Sequence, residues 1–178
     1  MTRDERAVFY PQEDYLSVWR RLLIDAIDMM LVITVSVVLT VAVMLLVDQA
    51  EHSFPLIFAI WLLVWFGYFV GLKGSSFRTA GYLAAGARIV NLQGERPSRL
   101  ALTGRLMFVL VGPFNFFVDL LWLSNDAHRQ ALRDKFVHTY VIRDHAQPAG
   151  VGRIAYSVTT IFGATLLLAE VQPDAGAH

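Results

Sequence analysis

Hydrophobic and polar positions fall into long blocks along this chain. Residues 1–17 are mostly polar, Met29–Val47 holds no charge, 48–53 forms a short acidic turn, and Phe54–Leu72 is nineteen residues without a charge. Runs of this length read as membrane-crossing helices, because about 20 apolar residues cover a hydrocarbon core of roughly 30 Å. The first helix reaches back to Arg21. A span of about 21–47 would be ~40 Å long and would overshoot the core at one end. The second span covers 54–72, with Pro55 in the first turn, where a missing N–H is tolerated. So short a connection makes the pair an antiparallel hairpin.

The pattern then loosens. Residues 73–101 form a polar connector with Lys73, Arg78, Arg88, Arg96 and Arg99. Within it, Tyr82–Val90 suits a segment lying along the membrane surface, Asn91-Leu92-Gln93-Gly94 reads as a turn, and Arg96-Pro97-Ser98 breaks the pattern. Leu106–Leu123 is apolar again but is interrupted by Gly112-Pro113, Asn115 and Asp119. Ile154–Ala169 is sixteen uncharged residues, at the short end for a crossing, and gives a candidate fourth span over 154–170. The expected fold is therefore all-α and polytopic. It has a two-helix transmembrane hairpin, a Gly-Pro-broken third segment and a short fourth helix. The divisions are a polar tail (1–17), a membrane domain (18–143) and a C-terminal extension (144–178).

Lysine and arginine counts set the orientation. Four precede the first span, none lies in the 48–53 turn, six fall between Lys73 and Arg105, and five between Arg129 and Arg153. The positive-inside rule then puts the N-terminus and the connector in the cytoplasm. A simple third crossing would leave Arg129, Arg133, Lys135 and Arg143 outside. Two readings of 106–123 stay open: an ordinary kinked helix, or a re-entrant segment that turns back at Gly112-Pro113, with its irregular backbone buried in protein or lining a wet cavity.

Composition agrees with a membrane protein: 56 % hydrophobic, 17 % charged, mean hydropathy +0.50. The formal net charge is zero, so nothing draws the chain to nucleic acid, and without cysteine there is no disulfide or thiolate chemistry. The five histidines show no metal-ligand spacing, and no nucleophile–base arrangement is visible. The sequence thus implies no metal, no cofactor and no enzyme.

The one concentration of charge near a span is Arg21, Asp25 and Asp28. Their i, i+4, i+7 spacing brings them onto one helical face. Ionisable groups at the edge of a span are costly and form a functional-site hypothesis by default.

Three motifs carry a resemblance. The first is Arg21-Leu-Leu-Ile-Asp25-Ala-Ile27-Asp28. The second is Thr79-Ala-Gly81-Tyr82 followed by Arg88-Ile-Val90-Asn-Leu-Gln-Gly94. The third runs from Arg129 through Leu132-Arg133-Asp134-Lys135 to His138-Thr139-Tyr140-Val141. In order and spacing they resemble the RDD family of small bacterial membrane proteins, over roughly residues 18–143. Carried over by position, the family's arginine and two aspartates are Arg21, Asp28 and Asp134, with Asp25 an extra carboxylate. Arg133 stands where histidine or glycine is common, and His138 where glycine is common.

The resemblance implies a multi-pass protein of the bacterial inner membrane, and transport, including cation/proton antiport, has been proposed for some members. Two readings of the cluster Arg21, Asp25, Asp28 and Asp134 follow. It is a structural lock, or it is an ion-coupling site in which a carboxylate changes protonation. Asp119, Arg129 and Arg133 are secondary candidates for pairing. The structural reading is preferred, because an interfacial depth lets paired charges persist without a crossing path. The expected function is a non-enzymatic accessory or scaffold subunit; a small cation/proton antiporter is the alternative. The expected partners are membrane lipids and a larger membrane complex or a second copy of the chain.

Overall fold

The computed structural model describes residues 6–47, 50–111, 119, 121–122, 129–161 and 164–173. They divide into two compact units: Trp19–Ala85, and a second made of the chain up to Val18 together with everything from Gly86 onward.

The first unit is helical. Helix α1 (Val18–Leu46) is followed by α2 (Ala50–Phe66), which continues into a π-helical turn over Gly67–Leu72 and then a short α3 (Ala80–Ala84). Two stretches, Val18–Leu46 and Ser53–Leu72, are long and apolar enough to cross a membrane. Their outward residues, such as Met30, Val38, Leu45 and Leu63, are exposed, as suits helices whose solvent is lipid. Helix α1 buries one narrow stripe, Arg21, Ile24, Asp28, Val32, Ser36 and Val43, at the 3–4 residue repeat of a packed helix face. Polar groups fix how α1 and α2 meet. Trp61 Nε1 donates to Thr40 Oγ1 at 2.9 Å, and that hydroxyl donates to the Ser36 carbonyl at 2.8 Å.

The second unit corrects the all-α expectation, because its described residues include five strands in two antiparallel sheets. The strands are β1 (Arg6–Phe9), β2 (Ala87–Asn91), β3 (Thr139–Arg143), β4 (Gly150–Ile161) and β5 (Ala164–Pro173). Strand order in the larger sheet is β1-β4-β5, and β2 pairs with β3 in the smaller one. Helices α4 (Arg99–Val111) and α5 (Leu132–Phe136) belong to the same unit. Its core gathers Tyr10, Tyr15, Tyr140, Leu92, Ile142 and Val171 among others. The three tyrosine rings meet edge to face, with centroids 5.5–6.5 Å apart. Burial raises the pKa of the Tyr10 hydroxyl, and the nearby Arg88 guanidinium offsets part of that rise.

Each misjudged segment has a physical reason. The candidate fourth helix at 154–170 is the β4–β5 hairpin, in register from Gly152↔Pro173 to Ile161↔Ala164. Absence of charge sets a length, but it does not distinguish one helix from two strands. Ile154, Val158, Thr159, Thr160 and Ile161 are β-branched and favour the strand. The stretch 82–90 is divided between the end of α3 and β2. Part of the polar tail, Arg6–Phe9, is a strand paired with Gly150–Arg153. Two turn signals hold. The Asn91 side chain accepts the Gln93 and Glu95 N–H groups, with Gly94 at a φ of 80°. Ser98 Oγ caps α4 by accepting the Ala101 N–H at 3.1 Å. The third segment is helical from Arg99 to Val111; the Gly112-Pro113 break and Asn115 lie outside the described residues.

Candidate functional site

In the helical unit the site is built on Asp28, a fully buried carboxylate in the middle of the packed stripe of α1. Three neutral donors hold it. Oδ1 accepts the Tyr68 hydroxyl at 2.8 Å and the Gly81 N–H at 2.7 Å, and Oδ2 accepts the Thr79 hydroxyl at 2.6 Å. The Tyr68 oxygen in turn accepts the Ala80 N–H at 3.0 Å. Every hydrogen in this network has one direction, so each group is satisfied without a cation. Asp28 takes part in no ion pair among the described residues.

Local sequence explains each partner. Thr79 is the N-cap residue of α3, so its extended backbone frees the hydroxyl for Asp28. Gly81 offers its N–H and also the space for the approach. A Cβ there would overlap the backbone of Ile24 and lie 2.8 Å from Asp28 Oδ1. That is the physical content of the Thr79-x-Gly81 motif: one residue supplies a side-chain donor, and the other lets a connector backbone touch a helix. Tyr68 sits within the π-helical turn, where an extra residue per turn re-aims side chains. Sequence reading missed Tyr68, because a tyrosine near the end of an apolar run looks like an interfacial anchor. Arg21 is buried on the same stripe, and Asp25 is half-buried beside it.

Asp134 belongs to the other unit, where a different arrangement surrounds it. It is fully buried at the start of α5 and forms an ion pair with Arg105 Nη1 from α4. The same guanidinium nitrogen donates to Thr139 Oγ1 at 2.9 Å, and Asp134 Oδ2 accepts the Ala131 N–H at 3.3 Å. Gln130 Nε2 donates to the Thr139 carbonyl at 3.0 Å, which ties the first residue of β3 into the cluster. Other ion pairs lie in this unit. Asp119 accepts the Arg133 N–H at 2.9 Å and lies 3.1 Å from Arg133 Nε. Lys135 Nζ, almost fully buried, meets Glu170 Oε1 at 3.0 Å. Arg129 Nη1 donates to the Tyr15 carbonyl at 3.4 Å.

The placement of the expected cluster is therefore clear. Arg21, Asp25 and Asp28 share the helical unit; Asp134 shares the β-bearing unit with Asp119, Arg129 and Arg133. Arg105 is the residue that sequence reading undervalued. Its charge contributes to the positive-inside pattern, yet its side chain lies on the buried face of α4. No group of three or more metal-ligating side chains occurs among the described residues.

Two helices of membrane-crossing length and composition, together with the family match, point to a membrane protein. The chain belongs to the RDD family, typically small membrane proteins, which matches residues 15–138. Comparison with curated proteins and with solved structures finds no match.

Proposed function

We propose that this protein is a non-enzymatic, multi-pass accessory or scaffold subunit of the bacterial inner membrane, with a cytoplasmic N-terminus, that packs against other membrane proteins. The observation that carries this reading is the donor set of Asp28. A carboxylate that couples ion movement must exchange its partners; this one accepts three hydrogen bonds from groups fixed by a helix cap, a connector backbone and a π-helical turn. For Asp28 to take a new partner, one of these fixed donors must give way within a buried site. The arrangement suits a permanent clamp. Support for partner packing comes from the apolar cleft between the two long helices, lined by Leu31, Val35, Leu63, Val64 and Leu72 among others, which offers a further membrane helix a surface for van der Waals packing.

The test is reconstitution. Wild type and Asp28→Asn are placed in sealed vesicles, and internal pH is followed on addition of Na⁺ or K⁺. The accessory reading expects no cation-dependent pH change from either protein. A wild-type response that is lost in Asp28→Asn would overturn it in favour of antiport. Gentle purification adds a second readout: an accessory subunit brings a stoichiometric membrane partner with it.

A further inference from the structure

The β4–β5 hairpin lies beyond the family-matched residues and projects past the rest of its sheet. Strand β1 covers only Gly150–Arg153 of β4, and the outer edge of β5 pairs with no strand among the described residues. From Ile154 to Ala169 the hairpin holds no charge. Register puts Tyr156, Val158 and Leu167 on one face, with Val158 directly opposite Leu167. These three are 64 %, 66 % and 68 % exposed. On the other face Leu168 is buried, and Glu170 meets Lys135. Nearer the base, Ala169 and Val171 on the same face as Leu167 are buried in the core of the unit, so the bare part is the outer strip of Tyr156, Val158 and Leu167, beside an open ladder of backbone donors and acceptors.

Long, open edges with few charges are normally blunted by lysine, proline or a bulge. Insertion into hydrocarbon does not solve the problem, because an open edge in lipid leaves its N–H and C=O groups unsatisfied. A paired strand does solve it. We propose that the outer edge of β5 pairs antiparallel with the β5 of a second copy of this chain, about a two-fold axis at Leu167.

The sequence of β5 suits that register. With Leu167 opposite its own copy, Thr165 faces Ala169 and Ala164 faces Glu170, so no like charges oppose one another. A two-fold axis normal to the sheet keeps the same face on the same side. The bare strip of Tyr156, Val158 and Leu167 is then continuous with its counterpart. Pro173, which lacks a donor, ends the ladder at the base. The edge of β4 is less suited, since β1 already occupies its start. The membrane spans hold every copy in one plane, which raises the local concentration and favours a contact of modest area.

The chain has no cysteine, so a single introduced thiol gives a clean readout. Full-length Leu167→Cys, Thr165→Cys and Val158→Cys are each oxidised mildly in membranes. Residues opposite each other across an antiparallel pair lie about 4.5–5.5 Å apart, within disulfide reach. Leu167→Cys is expected to give roughly an order of magnitude more disulfide dimer than the other two, whose thiols sit away from the axis. Coexpressed Thr165→Cys and Ala169→Cys chains should cross-link where neither does alone. Leu167→Lys, at an exposed site, should halve the mass measured by light scattering in detergent. Equal cross-linking at 158 and 167, or an unchanged mass in Leu167→Lys, would overturn the proposal. So would quenching by brominated lipid of a fluorophore attached to the Leu167→Cys variant in the absence of any dimer, which would assign the face to the bilayer.

Discussion

Two buried aspartates in this protein solve the same problem in different ways. Asp28 and Asp134 are both fully hidden from solvent. Asp28 is held by two hydroxyls and a backbone N–H, all neutral. Asp134 is held by the Arg105 guanidinium and a helix-start N–H. Neutral donors spread the carboxylate charge over several fixed dipoles. A cation cancels the charge, and its own burial then depends on the carboxylate. The first arrangement therefore tolerates loss of charge better than loss of an acceptor, whereas the second tolerates neither partner's removal.

The largest test of this difference is Arg105→Ala. It removes the guanidinium that pairs with the buried Asp134, and it should lower stability by about 3–5 kcal/mol, read as a fall in the unfolding midpoint of detergent-purified protein. Replacing the pair together, Arg105→Met with Asp134→Leu, should recover most of that loss, since an apolar pair removes both charges at once. A double variant as unstable as Arg105→Ala would show that the cluster depends on its polar links to Thr139 and Ala131.

Asp28 should separate charge from acceptor. Asp28→Ala strands the donors of Tyr68, Thr79 and Gly81. The hydroxyls can turn to other acceptors, but the Gly81 N–H cannot, so the expected loss is about 2–4 kcal/mol. Asp28→Asn keeps Oδ1 for Tyr68 and Gly81, and the Thr79 hydroxyl can rotate to accept from the new amide. Its expected loss is about 1 kcal/mol. Equal losses in the same midpoint measurement would mean that the negative charge itself is required, and the contrast with Asp134 would collapse.

Much of this contrast was legible in the sequence, though not its pairing. The i, i+4, i+7 spacing put Arg21, Asp25 and Asp28 on one face, and α1 indeed packs Arg21 and Asp28 along one stripe. The Thr79-x-Gly81 pattern stood out before its purpose was visible, because its partner lies about fifty residues earlier in the chain. Tyr68 gave no signal, since only the π-helical turn explains its aim. The membrane helices were readable because length and apolarity are local properties. The sheets were not, because β2 and β3 are five-residue strands whose partners are far apart in sequence. The uncharged 154–169 run meets the length for a crossing, which is not specific to helix, while its β-branched residues favour strand.

Gly81→Ala probes the closeness that the neutral site requires. The added methyl would meet the Ile24 backbone, which has no rotamer to change. The first turn of α3 must then lift from α1, stretching the Gly81 N–H bond to Asp28. A loss of about 1–3 kcal/mol is expected, with Gly81→Ser no better. Asp28→Asn combined with Gly81→Ala should cost less than the sum of the two, because both act on one hydrogen bond. Strict additivity would separate the close approach from the carboxylate.

The smallest effect concerns the ion-paired side, and it is a gain. Helix α5 ends at Phe136, and His138 follows at a φ of 55°, just before β3 begins at Thr139. Its N–H points to the Lys135 carbonyl, at 3.4 Å. This is the left-handed position that closes a helix, where glycine is favoured because a Cβ crowds the following carbonyl. The strain of a non-glycine residue there is about 1–2 kcal/mol, and glycine gives part of it back through the greater freedom of the unfolded chain. His138→Gly should therefore stabilise the protein by about 0.5–1 kcal/mol, seen as a rise in the unfolding midpoint, while His138→Ala should bring no gain. Because Thr139 holds both Arg105 and Gln130, a relaxed turn at 138 should also reduce the loss caused by Arg105→Ala. If His138→Gly destabilises instead, contacts of the imidazole ring outweigh the backbone strain, and the turn is not what limits the ion-paired cluster.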